Sequence, residues 1–219
     1  MAGTPGVYRI GPVEFLAALW DLAVHLDAHL AAFVAQHGAW VYGLLFLVVF
    51  CETGLVVTPF LPGDSLLFVV GTLAAAGGMD LATSMATLAA AALCGDNVNY
   101  AVGRWAGMRV MKKYLNERHL QRAHEFYARH GGKTIILARF VPIVRTYAPF
   151  AAGLGVMPYG RYIAFCVAGA ALWVVSLCVA GYFFGNIPAV KDNLTAVILG
   201  IVLLSVTPGA VAFFRKRSI

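Results

Sequence analysis

Residues 39–78 form an apolar run too long for one membrane crossing and too charged for a simple one. As a single helix rising 1.5 Å per residue it would extend about 60 Å, twice the ~30 Å hydrocarbon core of a bilayer. Glu52-Thr53-Gly54 interrupts the run first, and Thr58-Pro59-Phe60-Leu61-Pro62-Gly63-Asp64 follows. The segment must therefore turn inside the membrane or cross it twice, and Pro59, Pro62 and Gly63 mark the break. Composition supplies the membrane: 61% of the chain is hydrophobic and 12% charged, where a soluble domain carries roughly 25% charged residues.

The other segments fit this frame. Residues 13–36 are apolar with a narrow polar stripe through Glu14, Asp21, His25, His29 and Gln36, which reads as an amphipathic helix at an interface or bundle edge. Residues 81–103 read as a spanning helix with Asp96, Asn97 and Asn99 toward its end. Residues 134–155 are apolar but hold Arg139, Pro142, Arg145 and Pro149. Spanning helices are expected near 162–184 and 194–214, before the terminal Arg215-Lys216-Arg217. The expected organisation is an amphipathic segment 1–38, a membrane unit 39–185 with a basic loop 104–133, and a terminal helix and basic tail 186–219.

Charge fixes the sides. Half of the 16 basic residues fall in residues 104–133, the mark of a cytoplasmic loop. If 134–155 crossed the bilayer, Arg161 and the terminal basic cluster would lie outside, against that bias. A re-entrant segment keeps all three inside, so a multi-pass protein with a cytoplasmic C-terminus is expected. The two broken segments then have opposite topologies. Each is followed by a helix ending Tyr-x-x-Gly, at Tyr100–Gly103 and Tyr182–Gly185. The expected fold is all-α: an inverted repeat of two re-entrant broken hairpins, each followed by a transmembrane helix. Transporters built this way place the substrate where the breaks meet.

A charge at bilayer depth costs roughly 2.5–3.5 kcal/mol, so Glu52, Asp64, Arg139 and Arg145 should pair or line a wet cavity. The first break carries two acids and the second two arginines, which suggests that the breaks face one another. Asp64 or Ser65 would cap the second half of the first hairpin, and Pro149 would open the matching half-helix. Two half-helix N-termini with two guanidinium forks suit a phosphate. The bland alternative is that the arginines snorkel to the surface while the acids form a cap or structural pair. Asp96 reads first as an interfacial or packing acid, with proton or substrate handling as its second reading.

Other residues carry less. Cys51, Cys94, Cys166 and Cys178 lie in apolar runs without metal or disulfide spacing and read as packing residues. His25 and His29 have i, i+4 spacing but no third ligand, so no metal and no cofactor are expected. Trp105, Tyr114, Tyr159, Tyr162 and Tyr182 read as an aromatic belt. The N-terminus lacks the pattern of a cleaved signal peptide.

Across residues 38–185, the motifs Glu52-Thr53-Gly54, Pro59-Phe60-Leu61-Pro62-Gly63-Asp64, Gly95-Asp96, Tyr100-x-x-Gly103-Arg104 and Arg139-Phe140-x-Pro142-x-x-Arg145-Thr146 resemble the DedA family of bacterial inner-membrane proteins. That family lies within the SNARE-associated or VTT-domain group. The resemblance implies lipid flipping or scrambling, with members recycling undecaprenyl phosphate, others linked to polymyxin resistance and membrane homeostasis, and a dependence on the proton motive force.

The leading expectation is a transporter of a phosphate-bearing lipid, its headgroup held by Arg139 and Arg145 with Ser65 and Thr146 beside them. Glu52, Asp64 and Asp96 are the candidates for exchanging coupling protons. A proton- or cation-coupled exporter of small solutes would use the same acids without needing two arginines. An enzyme such as a lipid phosphatase fits poorly, because no His lies in a break or spanning segment to serve as base; a structural assembly factor is the last alternative. Expected partners are membrane lipids and the lipid-linked phosphate, not nucleic acid. Homo-oligomerisation stays open.

Overall fold

The computed structural model describes residues 26–55, 63–106 and 131–201, apart from 156, 186, 192, 194, 195, 198 and 199. The described residues are helical, with no strand among them. In order they form α1 (Leu26–His37), α2 (Trp40–Gly54), α3 (Gly63–Ala75), α4 (Leu81–Ala106), α5 (131–138), α6 (Pro142–Leu154), α7 (Tyr159–Phe184) and the short α8 (Pro188–Lys191). Most of the expected N-terminal stripe, most of the basic loop, Pro59, Pro62, Tyr114 and most of the expected last helix lie outside the described residues.

The 26-residue α7 is apolar and long enough to cross a bilayer. The 15-residue α2 and the 13-residue α3, at about 22 and 20 Å by helix rise, each fall short of the ~30 Å core. Large apolar side chains face outward, with Trp40 78% and Phe183 68% exposed. A lipid environment accounts for such a surface on a membrane protein.

Local chemistry sets the breaks. Gly77 at φ +80° lets Gly78 N–H reach Leu73 O and its own N–H reach Ala74 O, closing α3 in a Schellman turn. Asp80 then starts α4: its carboxylate accepts Thr83 N–H at 2.7 Å and Thr83 O–H at 2.5 Å. After α5, Arg139, Phe140 and Val141 donate three residues back, to Ile136, Leu137 and Ala138, the tightened pattern of a helix end. Val141 is extended (φ −124°, ψ 104°) because Pro142 follows it, and Pro142 opens α6. Pro149, expected to open that helix, lies inside it instead.

Packing crosses between the halves. α3 lies along α7, while α4 lies along both α2 and α6 and touches α7 over a shorter length. At the α3/α7 crossing the backbones meet: a methyl on Gly71 would strike Cys178 O, and one on Gly181 would strike Phe68 O. At α4/α6 a methyl on Gly103 would strike Phe150 O, and one on Gly153 would strike Tyr100 O. The intervals match, Phe68 and Gly71 with Phe150 and Gly153, and Tyr100 and Gly103 with Cys178 and Gly181. Gly103 thus corresponds to Gly181 in its packing, not to Gly185, which meets Thr72. The Tyr-x-x-Gly match is therefore one helical turn out of register.

Two apolar clusters result. One joins α1, α2, α3, the first half of α4 and the second half of α7; the other joins Tyr100 with α5, α6 and the start of α7. Asp96 lies along α4 between Ala92 and Tyr100, so the polar layer runs between the clusters.

Candidate functional site

Arg145 occupies the first break from across the molecule. It sits in the first turns of α6, with its N–H bonded to Val141 O at 2.9 Å. One guanidinium nitrogen donates to Glu52 Oε1, from the last turn of α2, and the other to Asp64 Oδ1 at 3.0 Å, from the first turn of α3. One planar fork therefore ties both sides of the break together. Trp173 on α7 donates Nε1–H to the same Asp64 oxygen at 2.8 Å, and its ring lies 4.9 Å from Arg145 Cζ in a cation–π contact.

Arg139, at the second break, turns to a different acid. It pairs with Asp96 of α4 and reaches Cys166 O and Sγ of α7, each at 3.3 Å. The Cys166 thiol also contacts Asp96 Oδ2 at 3.3 Å, and Tyr162 O–H donates to Asp96 O at 2.9 Å. Glu52, Asp96, Arg139 and Arg145 are all buried, and such pairs cohere only when both partners stay.

The expected residues thus converge, with corrections. Arg145 takes both acids of the first break, while Arg139 takes Asp96, whose first reading as an interfacial or packing acid gives way to a buried ion pair. Neither arginine snorkels. Asp64 lies inside α3 rather than capping it, because its carboxylate turns to Arg145 and Trp173. Ser65 Oγ is buried without a hydrogen bond, as are Glu52 Oε2, Asn99 Oδ1 and Arg139 Nε. Gly63 lies against Glu52, where a methyl would collide with the carboxylate. Thr146 is buried, and its carbonyl accepts Asn99 Nδ2–H at 2.6 Å.

Trp173, Tyr162, Cys166 and Asn99 had no such role in the sequence. Tyr162 is fully buried and stacks on Tyr100 with ring centroids 4.3 Å apart, so it leaves the aromatic belt; Trp105, Tyr159 and Tyr182 stay exposed. Cys166 is more than packing. A buried Trp must place its N–H somewhere, which was the available signal for Trp173.

Between the two ion-pair groups lies a cavity of about 10 Å³, lined by Thr53, Asp96, Arg139, Arg145, Pro149 and Trp173 among others. That is room for one water at most. The arrangement is closed: the Arg139 and Arg145 guanidinium groups are both matched by carboxylates, and a phosphate could enter only by displacing one.

The VTT domain model matches residues 61–183. Protein DedA of Escherichia coli (strain K12) is 51% identical over 211 residues, covering 94% of this chain and 96% of that protein. An uncharacterized membrane protein of Mycobacterium leprae (strain TN) is 42% identical, covering 76% of each chain. Inner membrane protein YghB of Escherichia coli (strain K12) is 35% identical, covering 88% of each. No solved structure matches.

Proposed function

This chain belongs to the DedA family of VTT-domain membrane proteins, and from that we propose that it carries a phosphate-bearing lipid between leaflets. The observation that supports this reading is the Arg145 fork, bonded at once to Glu52 and Asp64. A lipid phosphate presents the same bidentate oxygens and can replace the carboxylates once they take up protons. Proton uptake then opens the site, and proton loss re-forms the pairs and expels the headgroup. Arg139 and Asp96 act as a second pair of the same kind, with Ser65 Oγ and Arg139 Nε as unused donors for the incoming phosphate. A polyprenyl phosphate such as undecaprenyl phosphate is the proposed cargo, in a bacterial inner membrane, and no catalysis is assigned to the chain.

The proposal includes inverted re-entrant hairpins. It is supported by helices too short to cross alone and by the reciprocal packing of α3 on α7 and α6 on α4. Single reporter cysteines at Lys133 and Pro158, both exposed, should label from the same, cytoplasmic, side, as should the C-terminus. Opposite sides would remove the second hairpin.

One observation favours a proton- or cation-coupled solute exporter: the central cavity is water-sized rather than headgroup-sized. Proteoliposomes decide between them. Translocation of undecaprenyl phosphate by the purified protein, faster with a pH gradient, is expected; no lipid movement together with proton-driven solute release would overturn the lipid reading.

A further inference from the structure

A second space, mostly apolar but with one arginine in its wall, lies away from the ion pairs. Where the last turns of α4 approach the start of α7, a groove of about 760 Å³ is lined by Asn97, Ala101, Arg104, Trp105 and Tyr159, among others. Its size falls among ligand sites of ~300–1,000 Å³. Arg104 differs from the central arginines: among the described residues it forms no ion pair, and its guanidinium is steadied by donating to Tyr100 Oη at 3.3 Å. Tyr100 in turn donates to Met157 O at 2.6 Å, and Tyr159 O–H donates to Asn97 Oδ1 at 2.9 Å. The walls are thus held in place before any ligand arrives.

Trp105 and Tyr159 are 53% and 54% exposed, as side chains at the headgroup level of a bilayer are. The C-terminal end of α4 disfavours an anion and the N-terminal end of α7 favours one, so the two dipoles offset and Arg104 sets the sign. A groove between helices that offers one guanidinium beside exposed aromatic side chains suits a lipid headgroup.

We propose that this groove binds the phosphomonoester head of a membrane lipid, with the Arg104 fork on the phosphate, Trp105 and Tyr159 beside the glycerol or first isoprene carbons, and the tail in the bilayer. The site is separate from the central pairs, and its occupancy stands whether or not the chain transports lipid. It is also adjacent to them: Tyr100 stacks on Tyr162, whose hydroxyl bonds to Asp96 O. A lipid held by Arg104 therefore waits one aromatic layer from Asp96 and Arg139.

The test is binding rather than transport, so a failed translocation assay leaves it intact. Full-length protein in dodecyl maltoside is titrated with dioleoyl phosphatidic acid, dioleoyl phosphatidylcholine or inorganic phosphate and read by native mass spectrometry. Phosphatidic acid should bind at least about tenfold more tightly than phosphatidylcholine, the effect of one charge-assisted fork. Arg104→Gln should erase that preference, and so should Ala101→Trp, which fills the groove from an exposed helix position without touching the charge. Both variants should keep the wild-type melting temperature. An unchanged preference in either variant overturns the proposal, as does binding of inorganic phosphate with no binding of phosphatidic acid.

Discussion

The indole of Trp173 donates to the Asp64 carboxylate across 2.8 Å, from a residue 109 positions later in the chain. The same ring supports the Arg145 guanidinium, so one side chain orients both members of an ion pair. Trp173→Phe keeps the ring and removes the donor. It should destabilise the protein by about 1.5–3 kcal/mol, the range for a hydrogen bond to a charged group, and slow lipid translocation. Wild-type melting temperature and wild-type rate together would show the bond to be idle.

Glu52→Gln should leave a folded protein that no longer responds to a pH gradient, since it removes the proton site on one arm of the Arg145 fork. Asp64→Asn should retain the Trp173 bond through its amide oxygen, and should be more stable than Asp64→Ala. Parallel translocation and thermal unfolding of the three variants check this; a full pH response in Glu52→Gln refutes it.

Arg139→Gln and Asp96→Asn should each cost about 3–5 kcal/mol, because each leaves a buried charge without its partner. The double variant should cost clearly less than the two together, a coupling read by double-mutant unfolding. Arg139→Lys and Arg145→Lys keep the charge but lose the fork, so both should transport poorly at normal expression.

The identities of the charged residues could be read from sequence, because charge inside an apolar run demands a partner. Their pairing could not. Both acids of the first break fall to Arg145, since the ends of α2 and α3 lie on either side of one fork, and only the packing of α4 against α6 and α7 brings Asp96 to Arg139. Trp173 and Tyr162 sit in apolar runs where aromatic residues are ordinary. Their roles depend on which helix face turns inward. The repeat register slipped for a related reason: Tyr-x-x-Gly repeats by composition, whereas close contact selects Gly103 and Gly181.

That contact gives a sharp prediction. Gly71→Ala places a methyl against the Cys178 carbonyl, and should destabilise by about 1–3 kcal/mol or more through overpacking. Gly43→Ala, with nothing within 4 Å of the added methyl, should be neutral or slightly stabilising, by up to about 1 kcal/mol. Equal melting temperatures for the two would exclude a tight α3/α7 crossing.

The cap on α4 should respond to pH. Thr83 hydroxyl and amide donors hold the exposed Asp80 carboxyl below its ordinary value. A depressed folded value means that the contribution is present above the unfolded value of about 3.9 and is lost as pH falls through the folded one. Asp80→Ala should therefore melt below wild type at pH 7, with the gap closing on acidification, while Asp80→Asn should show little pH dependence in its own cap. A gap that stays constant to low pH would contradict the assignment.

The partners of Asp64 lie 81 and 109 residues downstream, which bears on how the molecule is made. At a synthesis rate of about 5–20 residues per second, the chain runs for roughly 5–20 s between Asp64 and Trp173. For the first 81 residues of that interval α3 carries the Asp64 carboxylate before the Arg145 guanidinium exists, and it cannot be released freely into lipid. Biogenesis must shelter the early helices, at the insertion machinery or beside a membrane chaperone, until α6 emerges. A chain cut before Arg145 leaves Glu52 and Asp64 in the bilayer without the guanidinium that joins them, a mark by which quality-control proteolysis can recognise an unfinished copy.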